Sequence, residues 1–469
     1  MNRMRHLLAA LLLAALAFVA GSPAHAQGCG PSNPNCIVTT MPTADTSKRA
    51  ASDEFVHNVI SGAFAGFANP TATIGRSAVN GSAITGMRSD SAPALPPGVD
   101  VNDLNLVLAA PSLSSSNCGQ TITLGGNAFY TVTLGAASGF PATCTMTFVD
   151  IDSGRAKKMS VNGITYPNGS MLWPLQVTVI KNVNNVWTVA VDPGRWKLSN
   201  FVQFEVNSAG SNGNDGLATG AANAFQTIPG AISVINTILD ARGFGVVLHA
   251  DCSGAPTTYT GQVRPLPIVG QAIGPDPTTT LANNLTPVIS GDTTTPGNCI
   301  LTSASGPTVA LIGGTYWNIQ GFQLKNTDGS SPCLLLDQQS WTRFQFIDFN
   351  SCNGASGNHI VVENFSGAKA AGNYTISVGA SAHVFSTLGG EFLYGLGTIT
   401  LTGTPIWASS FASANRNSFQ FWGGATFSGA STGPRYNASL GGGIDTNGGG
   451  ATFLPGNSAG SATNPGWYN

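Results

Sequence analysis

Trp317-Asn318-Ile319-Gln320-Gly321-Phe322-Gln323-Leu324 and, further on, Phe344-Gln345-Phe346-Ile347-Asp348-Phe349 decide how this chain folds. Both are short apolar runs interrupted by Gln, Asn and Gly, and aligning Ile319 with Phe344 gives a step of 25 residues that also aligns Leu324 with Phe349. A repeat in the twenties is the mark of a solenoid, in which each turn buries its apolar side only against its neighbours. Similar runs occur at Val246-Val247-Leu248, Pro287-Val288-Ile289-Ser290-Gly291, Cys299-Ile300-Leu301 and Val309-Ala310-Leu311-Ile312. The spacing is loose, and a β-sandwich is the alternative it leaves open.

The composition agrees with an all-β chain. Of 469 residues, 59 are Gly and 27 Pro, only 9% are charged and 42% are hydrophobic, with a formal net charge of -2. A disordered chain is poor in apolar residues and rich in net charge, so disorder is excluded. Nothing is basic enough to neutralise a run of phosphates, and nucleic acid is not an expected partner. Arg3, Arg5 and His6, the apolar run Leu7 to Ala20 and the small-x-small site Ala24-His25-Ala26 read as a signal peptide over residues 1–26. The chain is expected to be secreted, extracellular or at the cell surface, with the periplasm as a further option, and to have no membrane span after cleavage. The cysteines follow the signal and form four local pairs: Cys29 with Cys36, Cys118 with Cys144, Cys252 with Cys299, and Cys333 with Cys352. In an exported chain they read as disulfides, although eight cysteines allow 105 connectivities. No C-x-x-C occurs and the histidines are scattered, so neither metal nor cofactor is expected.

Resemblances enter along the chain. Thr43 to Val56, with Asp45, Ser47, Ala50, Ala51 and Phe55, resembles a signature near the start of phage tail-fibre proteins, and the reading assigns residues 27–60 to such a segment and 61–97 to a linker. Residues 98–200 alternate in short strands, Phe129 to Leu134, Met146 to Val149, Leu175 to Ile180 and Val186 to Val191, and are expected to form a small antiparallel β module. Its Gly154-Arg155-Ala156-Lys157-Lys158 and Leu172-Trp173-Pro174 also resemble a tail-fibre module. Phe204 to Gly216, then Ala224-Phe225-Gln226-Thr227-Ile228 and a helical stretch over Ala231 to Asp240, resemble the opening of right-handed parallel β-helix proteins of the pectate-lyase-like superfamily. The resemblance implies a right-handed parallel β-helix over 201–427. Gly433-Pro434-Arg435-Tyr436-Asn437 and the Gly-rich end of segment 428–469 resemble fibre tails, which close a helix end or join chains, and a homotrimer is what the fibre likeness implies. Phage tail proteins assemble in the cytoplasm without a secretory signal, so residues 1–26 point to an exported bacterial protein built from fibre modules.

Strand parity nominates a surface. With Ile319, Phe322, Leu324, Phe344, Phe346 and Phe349 inward, Gln320, Gln323, Lys325, Arg343, Gln345 and Asp348 point out, with Gln323 beside Asp348 and Lys325 beside Asn350. His359 and Glu363 would extend the same surface. Amides, a guanidinium, an ammonium and carboxylates suit the hydroxyls of a polysaccharide, and Trp341 is the aromatic placed to stack on a sugar ring, ahead of Tyr316, Trp407 and Trp422, whereas Trp317 shares the core parity. The binding set is therefore Gln320, Gln323, Lys325, Trp341, Arg343 and Gln345. A depolymerase, lyase or glycosidase is the alternative, and it would use Asp348, Glu363 and Arg343, with Asp337 and Glu391 behind. A structural filament or surface-layer component is the third reading. Asp150 and Asp152 also raise, weakly, a cation site.

Overall fold

The computed structural model describes residues 104–107, 109–111, 113–161, 171–252, 256–272, 285–352 and 357–469. The expected signal peptide, fibre-like segment, linker and Cys29–Cys36 pair lie outside them. Strands dominate, and the longest path of paired strands runs in parallel from Val202–Val206 through Val246–Ala250, Val288–Ser290, Asn318–Asn326, Trp341–Cys352 and onward to Trp467–Tyr468. This is a β-solenoid of parallel strands, as the 25-residue step requires: Ile319 pairs with Phe344 and Leu324 with Phe349.

Each full turn has three faces. Asn318–Asn326 bends in its middle: Asn318 to Gln320 pairs with Val288–Ser290 on the first face, and Gln323 to Asn326 with Cys299–Ser303 on the second. The third face is a separate sheet running from Val309–Ile312 through Leu334–Asp337, Ile360–Val362, Ala380–Ser386 and Trp407–Ala414 to Ser461–Ala462. Inward side chains from all three faces merge into one core that includes Leu248, Ile289, Phe322, Phe349, Val384 and Trp422.

The corner between the first two faces corrects one expected core position. Phe346 is only half-buried, and Ile347 takes the inward place. Gly321 (φ 74°) and Phe346 (φ 51°) stand one above the other, and a left-handed residue at the bend interrupts the two-residue alternation. Glycine is needed at 321, because a Cβ there would lie 2.8 Å from the backbone of Gly291 and Asp292. The corner between the third and first faces is built from consecutive left-handed pairs, among them Gln338-Gln339, Asn364-Phe365 and Arg416-Asn417.

The open end of the first turns is covered as the amphipathic stretch suggests. The helix spans Ile228–Ile238, with Thr227 as its N-cap accepting from the Gly230 amide, and buries Ile228, Ala231, Ile232, Ile235 and Ile238. Leu239–Asp240 then leaves as a short strand paired with Trp196–Lys197. The module before the solenoid contains the expected antiparallel pairs, Thr145–Asp150 with Val177–Val183 and Val177–Val183 with Val186–Val191, together with parallel pairs such as Thr121–Leu124 with Thr145–Asp150. Its Trp173 stacks on Trp196 with ring centroids 5.5 Å apart and enters the solenoid core. At the other end, parallel pairing continues through the Gly-rich segment 428–469, where Gly443–Asp445 pairs with Phe419–Phe421 and Trp467–Tyr468 with Gly443 and Ile444. Disulfides join Cys118 to Cys144, Cys252 to Cys299 and Cys333 to Cys352. No described helix is long and apolar enough to cross a membrane.

Candidate functional site

On the first face, outward residues of successive turns stack in columns about 4.8 Å apart, the spacing of paired strands. One column holds Tyr316, Trp341, Gly367, Glu391 and Phe419. A Cβ placed on Gly367 would lie 2.5 Å from three atoms of the Trp341 six-membered ring, so the indole lies across the glycine of the next turn. Trp467 lies across Gly443 in the same way. Two residues along each strand, a second column carries Asn318, Arg343, Lys369, Leu393 and Phe421. A third carries Glu205, His249, Ser290, Gln320 and Gln345. Within it Gln345 donates to Gln320 over 2.9 Å and Gln320 to the Ser290 hydroxyl over 3.2 Å. Four of the sequence-nominated residues, Gln320, Trp341, Arg343 and Gln345, thus share one face.

Gln323 and Lys325 belong to the second face. Gln323 pairs with Asp348 as the parity suggests, donating to Asp348 Oδ2 over 2.6 Å, and Ser377 Oγ donates to Oδ1 over 2.6 Å. Both oxygens of Asp348 therefore serve bonds between turns. Lys325 pairs with Thr302 of the preceding turn, while a register shift between Leu324 and Asn326 breaks the expected match with Asn350. Glu363 follows the third face, just beyond Ile360–Val362, where burial and the neighbouring Asp337 raise its carboxyl above the usual range. Asp348, Glu363 and Arg343 thus stand on the second face, at the end of the third, and on the first. Glu391 joins the column of Trp341 rather than that of Asp348.

Three nominated side chains turn out to be core. His359 does not extend an outer surface: it is fully buried, immediately before the third-face strand Ile360–Val362, where the two-residue alternation does not yet hold and both His359 and Ile360 point inward. Its Nδ1 lies 3.1 Å from Nδ1 of His383, whose Nε2 lies 2.7 Å from the Tyr374 hydroxyl, and burial pushes His359 down to about 3. Trp407 and Trp422 are likewise buried, against His383 and Phe411, so neither meets a ligand; Trp317 is core as its parity implies, its Nε1 donating to the Leu266 carbonyl. In the module, Asp150 and Asp152 hold the buried ammonium of Lys157, which fills the place a cation would take; Lys157 lies 3.9 Å from Asp150 Oδ1 and bonds Asp152 directly. Burial raises Asp150 to about 7.

The sequence reading missed Glu205 and His249. The turn from Phe204 to Leu248 takes 44 residues and the next, to Ile289, takes 41, so long insertions hide their register behind the 25-residue step. Glu205 Oε2 lies 2.8 Å from His249 Nδ1, and this bond raises the imidazole above its ordinary value. Gln203, whose amide donates to Glu205 Oε1 over 2.7 Å, also lines a cleft of about 230 Å³ between module and solenoid, with Pro174, Lys197, Phe201 and Leu217.

No family model, curated protein or solved structure matches this chain.

Proposed function

We propose that this is an exported β-helix protein, built like a phage tail fibre, that binds surface or extracellular polysaccharide along the first face of the solenoid. The observation that carries the reading is the Trp341 indole laid across Gly367, with Arg343 two residues along the same strand and Lys369 one turn on. A flat ring with one face against the backbone offers its other face to the apolar side of a pyranose, while cations and amides at strand spacing meet its hydroxyls and acidic groups. Extended polymers suit such a surface, because the same columns recur every turn. Asp348 is committed to bonds between turns and lies on a different face from Arg343, which favours binding over cleavage by that set. A fibre-type homotrimer belongs to the same proposal.

Retention of the purified protein on immobilised capsular and extracellular polysaccharides tests it. Trp341→Ala is expected to weaken retention at least tenfold, about 1.4 kcal/mol, without changing the circular dichroism spectrum. Wild-type protein retained on no polymer would defeat the reading, and so would equal retention of wild type and variant.

A further inference from the structure

The first two turns of the first face carry a group that glycan binding does not use. Glu205 and His249 are direct register partners, and the carboxylate is held at both ends, by the Gln203 amide on Oε1 and by the imidazole on Oε2. The Glu205 side chain is 7% exposed and that of His249 36%. Nδ1 is engaged by Glu205, so the partly exposed ring has Nε2 left to act on a bound molecule. Asp251 is the other carboxylate acting on the ring, and the Tyr259 hydroxyl fixes that segment by donating to the Asp251 and Val206 carbonyls. Ser290 and then Gln320 continue the column beyond His249.

A buried carboxylate that fixes one nitrogen of a partly exposed imidazole and leaves the other available is the arrangement of a general base and its positioning residue. Glycosidic cleavage needs two carboxylates at the bond, and here Glu205 is already spent on the ring. Hydrolysis of an acyl ester needs no second carboxylate at the bond: a base takes a proton from water near neutral pH and returns it to the leaving alkoxide, while hydrogen-bond donors receive the oxyanion. We infer that His249, positioned by Glu205, is the general base of a hydrolytic site that removes O-acyl groups from a polysaccharide lying on the first face. The ester-bearing substrate class rests on the glycan-binding reading above. In the step, His249 Nε2 accepts a proton from water as its oxygen adds to the acyl carbon, and the carbonyl π pair moves onto oxygen. That pair then returns, the C–O bond to the sugar breaks, and the sugar oxygen takes the proton from His249. Carboxylic acid and a free sugar hydroxyl leave, and one water is consumed.

The test incubates the full chain with acetylated xylan and with acetylated glucomannan between pH 5 and 9, measuring released acetate and, in parallel, retention on the same polymers. Release is expected, with a rate that falls in acid as His249 takes up its proton. His249→Gln should lower kcat/KM by about 10²- to 10⁴-fold. Glu205→Gln should shift the acid limb to lower pH, because the imidazole loses the partner that raises it, while retention stays unchanged. A purely structural pair would leave that limb where it is. Retention without acetate release, or release that persists in His249→Gln, overturns this inference and leaves glycan binding standing. Neither retention nor release on any polymer overturns both. Should His249→Gln fail to fold, the displaced limb of Glu205→Gln decides.

Discussion

Acid should loosen the solenoid from inside, at the turns that hold His359 and His383. Both imidazoles are fully buried among Phe349, Trp407 and Phe411, and both are held neutral by burial, His359 down to about 3 and His383 well below its ordinary value. In the unfolded chain each titrates near 6.5. Between that value and about 3 the unfolded state binds more protons, so the pair's contribution to stability is complete above pH 6.5 and declines as the pH falls. At pH 4.5, two units below 6.5, the loss for His359 is about 3 kcal/mol, and His383 adds to it in the same direction. Asp150 acts in the opposite sense: its carboxyl is raised to about 7, so its contribution is present at low pH and lost as the pH rises through that value. Comparing wild type with His359→Leu/His383→Leu removes this and every other shared titration. Solenoids open piecewise, so the suited assay is native-state amide hydrogen exchange at Ile360–Val362 and Ala380–Ser386, corrected for intrinsic rates, at pH 6.5 and 4.5. The opening free energy should fall by at least about 3 kcal/mol more in wild type than in the double variant. The Tyr374 hydroxyl loses its partner in the variant, but that cost is the same at both pH values. Equal pH dependence in the two proteins would refute the argument.

Other outcomes follow from single contacts. Asp215 is fully buried, receives Arg155 Nε and Nη2 over 2.9 and 3.1 Å, and caps the Ala156 and Leu217 amides, so it fixes the module loop to the first solenoid loop. Asp215→Ala should cost about 3 to 5 kcal/mol, measured as a lower urea midpoint, because Arg155 is left without its carboxylate. Non-reducing peptide mapping should recover the links Cys118–Cys144, Cys252–Cys299 and Cys333–Cys352, and replacing Cys118 and Cys144 together by Ser should lower stability by about 3 kcal/mol through the 26-residue separation they close.

Several features were legible in the sequence because they depend on local periodicity. The step from Ile319 to Phe344 predicts the register found, and alternation places Gln320, Gln323, Gln345 and Asp348 outward and Trp317 inward. Cysteine proximity gave the three disulfides, and the helical stretch expected over Ala231 to Asp240 is found as a capping helix at Ile228–Ile238, three residues earlier at its start and ending before the strand Leu239–Asp240. Alternation fails where a residue enters the left-handed region, as at Phe346, since one such residue changes which side the following residues face. It also cannot say which of three faces a strand joins, and so it merged Gln323, Asp348 and His359 with Arg343.

The sequence by itself determined that apolar strands recur loosely, with one clear 25-residue step, that one side of each strand is core, and where the chain turns. Only the tertiary structure decided which outward residues become neighbours. That is because neighbours in a solenoid lie one turn apart, and a turn of the first face ranges from 24 residues between Gly367 and Glu391 to 44 between Phe204 and Leu248. Trp341 meets Gly367, and Glu205 meets His249, only once the intervening segments fold out of the way and backbone hydrogen bonds between parallel strands set the register.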